Sequence, residues 1–297
     1  MKSFFVNGVH VTVQAFRLES LVYMLSKIWS PLWKIIPPPS FYNGMKKEIV
    51  VRDGVRFLID RSDYMQWHIL AGLPDNSWKT AAEKIERLDR YSPIQVFDVG
   101  ANSGAFALKL AAYCSDSHRD NISIHAFEPN PKMLKVLRDN CQLNPRLESM
   151  IYIHPYGLGA SNSTLPFSFS NDNSGAGRFD ENGTVDSISL TVKTLDEVCD
   201  NVDVNCLTFL KLDVEGFEPE VLKGAGKTIL RFKPTIYIEM TDKWFRERGS
   251  SCKQILEYFW ELGYQLSMDN EKNFTSISRN DLHELESMFQ YNILADI

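Results

Sequence analysis

Acidic residues stand beside a glycine-containing loop and near the ends of short apolar segments along the chain. The most prominent are Asp98, Glu128, Asp213 and Glu239. In an open α/β sheet the carboxyl ends of parallel strands meet at one edge, where ligands bind, so these side chains are expected to surround one ligand. Carboxylates in that position could accept hydrogen bonds from ribose hydroxyls, attract a cation or act as a general base.

The loop after the first apolar segment indicates which ligand to expect. It runs from Asp98 through Gly100 to Gly104, and glycine allows tight turns and close ligand approach. Its spacing matches neither the dinucleotide pattern GxGxxG nor a phosphate-binding loop that ends in Gly-Lys-Ser/Thr. The carboxylate of Asp98 would oppose a pyrophosphate but suits a cation. S-adenosylmethionine (SAM) carries a sulfonium and an ammonium and no phosphate, so it is the expected cofactor.

Glu128 directly follows the second apolar segment, where an acid can accept hydrogen bonds from both hydroxyls of a ribose. Nicotinamide-dependent enzymes share this feature, so it predicts an adenosine-type ligand without separating the two classes. A structural alternative is that Glu128 caps the helix that begins beyond Pro129.

Asp213 and two further carboxylates, Glu215 and Glu218, fall within six residues. Crowded carboxylates repel one another, so this group predicts a cation, a basic substrate or a raised pKa unless some side chains face solvent. Mg²⁺ held by Asp213 and Glu215 is an alternative, although no sequence feature supplies a full ligand set. His154 is an alternative general base, and a hydrogen-bonded turn residue is the structural alternative for it.

From Ile94 onward, short apolar segments alternate with helical patterns, which is typical of repeated βαβ units and a doubly wound, mainly parallel sheet. The predicted strands are 94–99, 122–127, 150–154, 207–212, 235–240, 264–268 and 292–297. The predicted helices are 105–113, 131–143, 219–230 and 251–262. The polar segment 157–187, which contains Arg178, is expected to be a lid over the acceptor or a disordered insertion, with one strand near 165–169.

The first 92 residues are expected to form an extension in two parts, followed by a catalytic domain over 93–297. Residues 1–40 contain an apolar, aromatic segment, 21–36, which is interrupted by lysine and proline and is too short to span a bilayer. A helix packed on its own domain is the plainer expectation. A helix on a membrane surface or against a partner, such as a second copy in a homodimer, is the alternative. Residues 41–92 are expected to hold a hairpin and two helices.

Composition narrows the class of protein further. The 297 residues carry a formal net charge of −6, which disfavours a nucleic-acid partner because phosphate contacts need clustered Lys and Arg. The five cysteines are odd in number and show no Cys-x-x-Cys spacing, so neither a disulfide framework nor a zinc site is indicated, and no metal is expected. All five are expected to be buried as small hydrophobic residues in a reducing compartment. No signal-peptide pattern is evident, so the cytoplasm is the expected location.

Four segments together resemble the FkbM family of methyltransferases. They are FDVGANSG at 97–104, FEPNP at 127–131, LKLDVEGFEPEVLKGA at 210–225 and IYIE at 236–239. They occur in order and with fitting spacing, and KLDVEG is the most specific part. The N-terminal 90 residues and the tail lie outside the resemblance. The resemblance implies a Rossmann-like, seven-stranded SAM-dependent methyltransferase sheet that transfers methyl to an oxygen of a sugar or secondary-metabolite scaffold, within a small-molecule or glycan acceptor.

The resemblance also implies roles by position. The residues that would contact the methionine part of SAM are Asp98, Gly100, Ala101, Asn102, Ser103 and Gly104. Glu128, with Pro129, would contact the ribose, and the turn at Gly157 is the best candidate for the adenine. Asp213 would lie near the transferred methyl, and Glu215 and Glu239 would line the acceptor side. Asp213 or Glu239 would serve as the base if the acceptor is a hydroxyl.

Two other classes of function stay open from sequence. A nicotinamide-dependent oxidoreductase would share the sheet and Glu128 but would need a loop that accepts pyrophosphate in place of Asp98. A non-catalytic SAM-binding module would keep the fold with a dead site. The four acids at separate strand ends argue against such a loss.

Overall fold

The computed structural model of the chain describes residues 2–43, 47–73, 75–168, 173–179, 187–202 and 204–297. Its α-helices are α1 Lys2–Ala15, α2 Glu19–Ser26, α3 Tyr64–Ala71, α4 Ser77–Glu86, α5 Ala105–Asp116, α6 Pro131–Gln142, α7 Leu195–Asn201, α8 Glu218–Lys223, α9 Gly226–Phe232, α10 Asp242–Glu247, α11 Cys252–Glu261 and α12 Leu282–Ser287. Its strands are β1 Glu48–Arg52, β2 Val55–Ile59, β3 Ile94–Val99, β4 Ile122–Phe127, β5 Ile151–His154, β6 Gly157–Leu158, β7 Ser163–Ser168, β8 Arg178–Phe179, β9 Ile188–Lys193, β10 Phe209–Leu212, β11 Thr235–Met240, β12 Gln265–Asp269, β13 Phe274–Ile277 and β14 Tyr291–Asp296. Short 3-10 helices occupy Ser30–Ile35, Pro39–Tyr42, Glu148–Met150, Ser174–Ala176 and Arg279–Asp281.

The central sheet has the strand order β13-β12-β14-β11-β10-β3-β4-β5. The five strands from β11 to β5 are parallel, and β14, β12 and β13 are antiparallel to their neighbours. The doubly wound, mainly parallel sheet is therefore confirmed. It has eight strands and not the seven implied by the resemblance, because β12 turns back into β13. Sequence did not predict β13 because its two central residues, Thr275 and Ser276, are polar and exposed, as suits an edge strand.

Apolar cores cover both faces of this sheet, because successive side chains of a strand point to opposite faces. In β3, Val96 belongs to one core and Phe97 to the other, and in β10 the same holds for Phe209 and Leu210. All four side chains are fully buried. The sheet is thus held rigidly from both sides, and the carboxyl ends of its parallel strands lie along one edge.

The predicted hairpin is confirmed as β1 and β2, and its turn uses positive φ at Asp53 and Gly54. The two predicted helices of this part correspond to α3 and α4, whereas α1 was not predicted. Apolar residues of the extension, such as Phe57 and Leu70, belong to the same core as Leu110 of α5. The domain limits at 40 and 92 stay a prediction. None of the helices in the described residues is long and apolar enough to cross a membrane.

The described part of segment 157–187 is folded, so the disordered alternative does not hold there, and the lid function expected for the segment stays a prediction. Strands β6, β9, β7 and β8 form a separate four-stranded sheet in that order. Sequence indicated only β7, because β6 and β8 have two residues each and β9 alternates exposed and partly buried positions. The parts of the predicted lid at 169–172 and 180–186 lie outside the described residues.

Two smaller expectations were wrong. The single helix expected over 219–230 is two helices, α8 and α9, which are separated at Gly224. A Cβ there would lie 2.0 Å from the backbone oxygen of Gly159, so the chain turns where only glycine fits. Of the five cysteines expected to be buried, Cys206 is only partly buried.

Candidate functional site

The loop between β3 and α5 is bound tightly to the two neighbouring strands. The N–H groups of Gly100 and Ala101 both donate to the backbone oxygen of Phe127, at 3.1 and 3.0 Å. Gly100 has φ +86°, and a Cβ at this position would lie 1.8 Å from the backbone oxygen of Asp213. Only glycine allows the loop to approach β10 this closely, so the sequence signal at Gly100 has a direct steric cause.

Glu128 fixes the far side of this loop. Its side chain is 6% exposed, its Oε2 accepts from the N–H of Asn102 at 2.8 Å, and its Oε1 accepts from the N–H of Asn130 at 2.8 Å. Burial raises the pKa of Glu128 to about 7, although the two backbone donors lower it. The helix-capping alternative was wrong, because the cap of α6 is Asn130, whose side chain accepts from the N–H of Lys132.

Lys211 is the functional residue that sequence reasoning missed. It lies opposite Asp98 in the parallel pair of β10 and β3, and its Nζ lies 3.4 Å from Asp98 Oδ1 and 3.1 Å from Asp213 Oδ2. Burial lowers the pKa of Lys211, but Asp213 and Asp98 raise it more strongly, so the net direction is upward and the ammonium stays charged. The cation that the crowded acids required is therefore supplied by the chain itself. A lysine within a four-residue buried strand was the available signal, because a buried ammonium needs a partner.

Three other carboxyls, Glu215, Glu218 and Glu239, lie at the same edge of the sheet. Glu218 is 1% exposed, and its Oε1 accepts from the N–H of Val214 at 2.7 Å. Burial, followed by the charges of Asp213 and Glu218, raises the pKa of Glu215 to about 8. Burial and the charge of Asp213 also raise the pKa of Glu239 well above its usual range. Gln290 donates to Glu239 Oε1, and Glu239 Oε2 is buried with no hydrogen-bond partner among the described residues. The raised pKa expected for crowded acids is thus found at these positions.

We expect the Glu215 carboxyl to make the protein less stable as pH rises. Its pKa is about 8 in the folded chain and near its ordinary value of about 4.3 in the unfolded chain, so the folded state binds more protons between these values. Glu215→Gln removes this dependence. Because Glu215 is partly exposed, the variant should gain only about 1 kcal/mol relative to the wild type between pH 5 and pH 8. Urea unfolding at both pH values measures the difference. The exposed Glu83→Gln should show none, and an equal gain in both variants would contradict the assignment.

Two adjoining cavities open at this edge of the sheet, with volumes of about 670 and 1310 Å³ including their mouths. The first lies beyond the ends of β3, β4 and β6, and the second lies between the ends of β3, β10 and β11 and the helices α3 and α4. They share four lining residues, which are Met65, Gly100, Asn102 and Asp213. Ligands in the two cavities would therefore meet at the Gly100 loop.

The predicted site residues divide between these cavities. Those on the wall of the first are Gly100, Asn102, Glu128, Pro129, Gly157, Asp213 and Glu215. Those on the wall of the second are Gly100, Ala101, Asn102, Ser103, Asp213 and Glu239. Asp98 and Gly104 line neither cavity: Asp98 lies beneath the loop against Lys211, and Gly104 turns the chain into α5 with φ +83°. Glu215, which was expected on the acceptor side, lies on the wall of the first cavity.

His154 lines neither cavity. Its Nε2 lies 2.9 Å from His125 Nδ1, its Nδ1 lies 3.1 Å from the Tyr156 hydroxyl, and its ring stacks on Phe127 at 4.5 Å. Burial lowers the pKa of His154 to about 4. These contacts favour the structural alternative for this residue over the catalytic one.

The N-terminal extension contributes part of the second cavity, which sequence did not predict. The lining residues from α3 and from the segment that leads into α4 include His68, Asp75 and Asn76. Asn76 Nδ2 donates to Asp269 Oδ1 at 2.9 Å, and the Tyr237 hydroxyl donates to Asp269 Oδ2 at 2.7 Å. No local pattern reveals the contact of Asn76 with Asp269, because it joins segments almost 200 residues apart. The described residues contain no group of three or more His, Cys, Asp or Glu placed to hold a metal ion.

Asp63 joins the extension to the small sheet over the first cavity. It is 4% exposed, it caps α3 by accepting from the N–H of Gln66, and it also accepts from the N–H and the hydroxyl of Ser174, both at 2.8 Å. Ser174 and Gly175 line the first cavity. A buried carboxylate thus holds this wall of the cavity in place.

The order of the strands defines a Rossmann-like α/β protein. The loop that follows β3 lies where the strand order of such a sheet reverses, which is the usual position of a small-molecule site. Residues 98–266 match the family model of the methyltransferase FkbM domain. The match covers more than half of the chain, and the chain belongs to the FkbM-domain family of methyltransferases.

Individual relatives are more distant. The chain is 22% identical over 200 residues to the 2-O-methyltransferase NoeI of Sinorhizobium fredii, covering 62% of this chain and 78% of NoeI. It is 33% identical over 132 residues to the hexuronic acid methyltransferase AglP of Haloferax volcanii, covering 43% of this chain and 48% of AglP. A crystal structure of the methyltransferase FkbM from Methylobacillus flagellatus aligns with a TM-score of 0.47 at 18% identity, covering 79% of this chain and 53% of that one. The chain thus spans about half the length of two of these proteins.

Proposed function

We propose that the protein is a SAM-dependent O-methyltransferase that methylates a hydroxyl group on a sugar or secondary-metabolite acceptor. The observation that carries this proposal is the junction of the two cavities at Gly100, Asn102 and Asp213. A cofactor in the first cavity would present its reactive end at this junction, and an acceptor in the second would meet it there.

The chemistry of the first cavity suits SAM. Its apolar wall includes Pro129, Leu158, Phe179 and Phe217, which suits a flat purine, and Glu128 suits ribose hydroxyls. The described lining holds no Lys, Arg or His, which a pyrophosphate would call for. When bound, SAM supplies a methyl group on a positively charged sulfur. Membership of a methyltransferase family also disfavours the oxidoreductase alternative.

In this proposal the chain's residues act mainly by positioning. Methyl transfer is an in-line displacement, so holding the acceptor oxygen about 3–3.5 Å from the methyl carbon supplies most of the rate gain. Asp98 acts through Lys211, which in turn holds Asp213 at the junction. The carboxyl of Glu239, on the wall of the second cavity, would accept the proton of the acceptor hydroxyl, and the rise in its pKa caused by burial and by Asp213 makes it a stronger base than an ordinary carboxylate.

The relatives support a sugar acceptor. NoeI is described as a 2-O-methyltransferase and AglP as a hexuronic acid methyltransferase. Those names describe the two relatives. By similarity to them, we infer that the acceptor of this chain is a hydroxylated small molecule or glycan.

Calorimetric titration with S-adenosylhomocysteine, the demethylated product of SAM, tests the cofactor site. We expect micromolar binding by the wild type and a loss of roughly tenfold to a hundredfold in Glu128→Gln, because a charge-assisted hydrogen bond contributes about 1.5–3 kcal/mol. The matched change Glu239→Gln, in the second cavity, should leave this affinity within about threefold but should lower the rate of labelled methyl transfer to hydroxylated sugars.

Three outcomes would overturn parts of the proposal. Binding of NAD in place of the homocysteine product would reject a methyltransferase site. An equal loss of S-adenosylhomocysteine affinity in both variants would reject the assignment of the cofactor to the first cavity and the acceptor to the second. Tight product binding without transfer of labelled methyl from SAM to any hydroxylated acceptor tried would favour the non-catalytic SAM-binding module.

A further inference from the structure

We infer that the N-terminal helices form a docking surface for an anionic lipid membrane. The surface consists of the exposed apolar side chains between residues 11 and 29, and is called the N-terminal patch below. Its members are Val11, Phe16, Leu21, Met24, Leu25, Ile28 and Trp29, which are 44–86% exposed. In the described part of the chain fifteen large apolar side chains are at least 44% exposed, and seven of them fall within these nineteen residues. Such clustering marks an interaction site, whereas scattered exposed apolar residues do not.

The core of the patch is a helical stripe that faces solvent. Leu21, Met24, Leu25 and Ile28 are spaced i, i+3, i+4 and i+7, so they share one face of α2 and the turn that follows it. The backbone N–H of Ile28 bonds to the oxygen of Leu25, which continues the helical turn beyond the end of α2. The most exposed member, Ile28, is 86% exposed.

This stripe is not the face by which α2 packs on the protein. The opposite face buries Val22 and Tyr23, at 5% and 8% exposure. The Tyr23 ring contacts the backbone at Gly72 and lies 4.1 Å from the guanidinium carbon of Arg52. The helix is therefore fixed by one face, and its second apolar face is free for another contact. The plainer sequence expectation, a helix that packs on its own domain, accounts for only two of the five apolar residues of α2.

The charges around the patch indicate an anionic partner. Residues 1–36 contain four Lys or Arg and one acid, although the chain as a whole has a net charge of −6. That acid, Glu19, is 3% exposed and turned inward, where it accepts from the Tyr42 hydroxyl at 3.0 Å and lies 3.5 Å from Arg61. Arg17, Lys27 and Lys34 are exposed, and because Lys27 pairs with Asp53 at 2.9 Å, the cationic charge offered to a partner comes from Arg17 and Lys34. The surface therefore presents apolar and basic groups together.

An anionic membrane surface accommodates both kinds of group. Apolar side chains of an amphipathic helix enter the acyl boundary, tryptophan favours the headgroup level, and basic groups are attracted to anionic lipids. A second copy of the chain fits less well, because a twofold contact through this patch would place like charges against each other.

Co-sedimentation of the full chain with lipid vesicles tests the inference. We expect binding to vesicles that contain phosphatidylglycerol and much weaker binding to vesicles of phosphatidylcholine alone. The double change Ile28→Ser with Trp29→Ser should lower the partition coefficient by roughly tenfold or more, because each buried apolar side chain contributes strongly to partitioning. The matched control is Phe289→Ser, which removes a 74% exposed aromatic side chain elsewhere and should bind as the wild type does.

A charge variant gives an independent measurement. Arg17→Glu with Lys34→Glu leaves every apolar side chain of the patch in place, and it should abolish the preference for phosphatidylglycerol. Both double variants should keep the melting temperature and the S-adenosylhomocysteine affinity of the wild type. The inference is overturned if the wild type ignores phosphatidylglycerol vesicles, if both variants bind them unchanged, or if light scattering shows a dimer that the Ile28 and Trp29 changes dissociate.

Discussion

Gly100→Ala is expected to abolish cofactor binding. The new Cβ would lie 1.8 Å from the backbone oxygen of Asp213, and backbone atoms cannot move aside as a flexible side chain can. The φ of +86° adds strain for any residue with a side chain. The loop must therefore leave β10, which breaks its contact with Asp213 and disturbs the bond from the N–H of Asn102 to Glu128. We expect S-adenosylhomocysteine affinity to fall by at least roughly a hundredfold and the free energy of unfolding to fall by about 2–5 kcal/mol.

The matched control for this change is Gly226→Ala. Gly226 begins α9, and a Cβ there meets no atom within 4 Å, so the same chemical change should alter neither affinity nor stability appreciably. Calorimetry and urea unfolding of both variants give the comparison. If Gly100→Ala bound the product within threefold of the wild type, the close packing of the loop on β10 would not be needed for the cofactor site.

The parts of the site that sequence predicted are those encoded within a few residues. The loop at Gly100 and the acid Glu128 follow buried strands directly, so strand order alone brought them to one edge. The acid cluster after β10 was also visible, as was its need for a cation or raised pKa values. The sequence did not show which group supplies the cation. The answer depends on the register of β10 against β3, which places Lys211 beside Asp98.

The parts that sequence could not predict arise from long-range packing. The wall of the second cavity that includes His68 and Asn76 comes from the N-terminal extension, and its contact to Asp269 joins distant segments. The small sheet over the first cavity was missed for another reason: two of its strands have two residues each, too few for an alternating pattern to show. The hydrogen bonds from Ser174 to Asp63 likewise join residues more than a hundred positions apart. Such contacts follow from the folded topology and leave no local signature.

Lys211→Met is expected to destabilise the protein by about 3–5 kcal/mol, because it leaves the fully buried Asp98 without its cation. Asp213 is less affected, since its side chain is 38% exposed and can be hydrated. The loss of stability in Lys211→Met should be smaller at low pH. Without Lys211 the folded-state pKa of Asp98 rises further above its unfolded value, so the variant loses stability as pH rises and recovers relative to the wild type as pH falls toward 5.

A double change separates charge pairing from packing. Asp98→Asn with Lys211→Met removes both buried charges, so most of the stability lost in the single variant should return, with little remaining dependence on pH. Urea unfolding of the wild type, both single variants and the double variant at pH 5 and pH 8 completes the cycle. If Lys211→Met and the double variant lost the same free energy of unfolding, the core would require the methylene stem of Lys211 and not its charge. Recovery in the double variant, joined to a lasting loss of S-adenosylhomocysteine affinity, would instead place the pair in the positioning of Asp213 and the Gly100 loop.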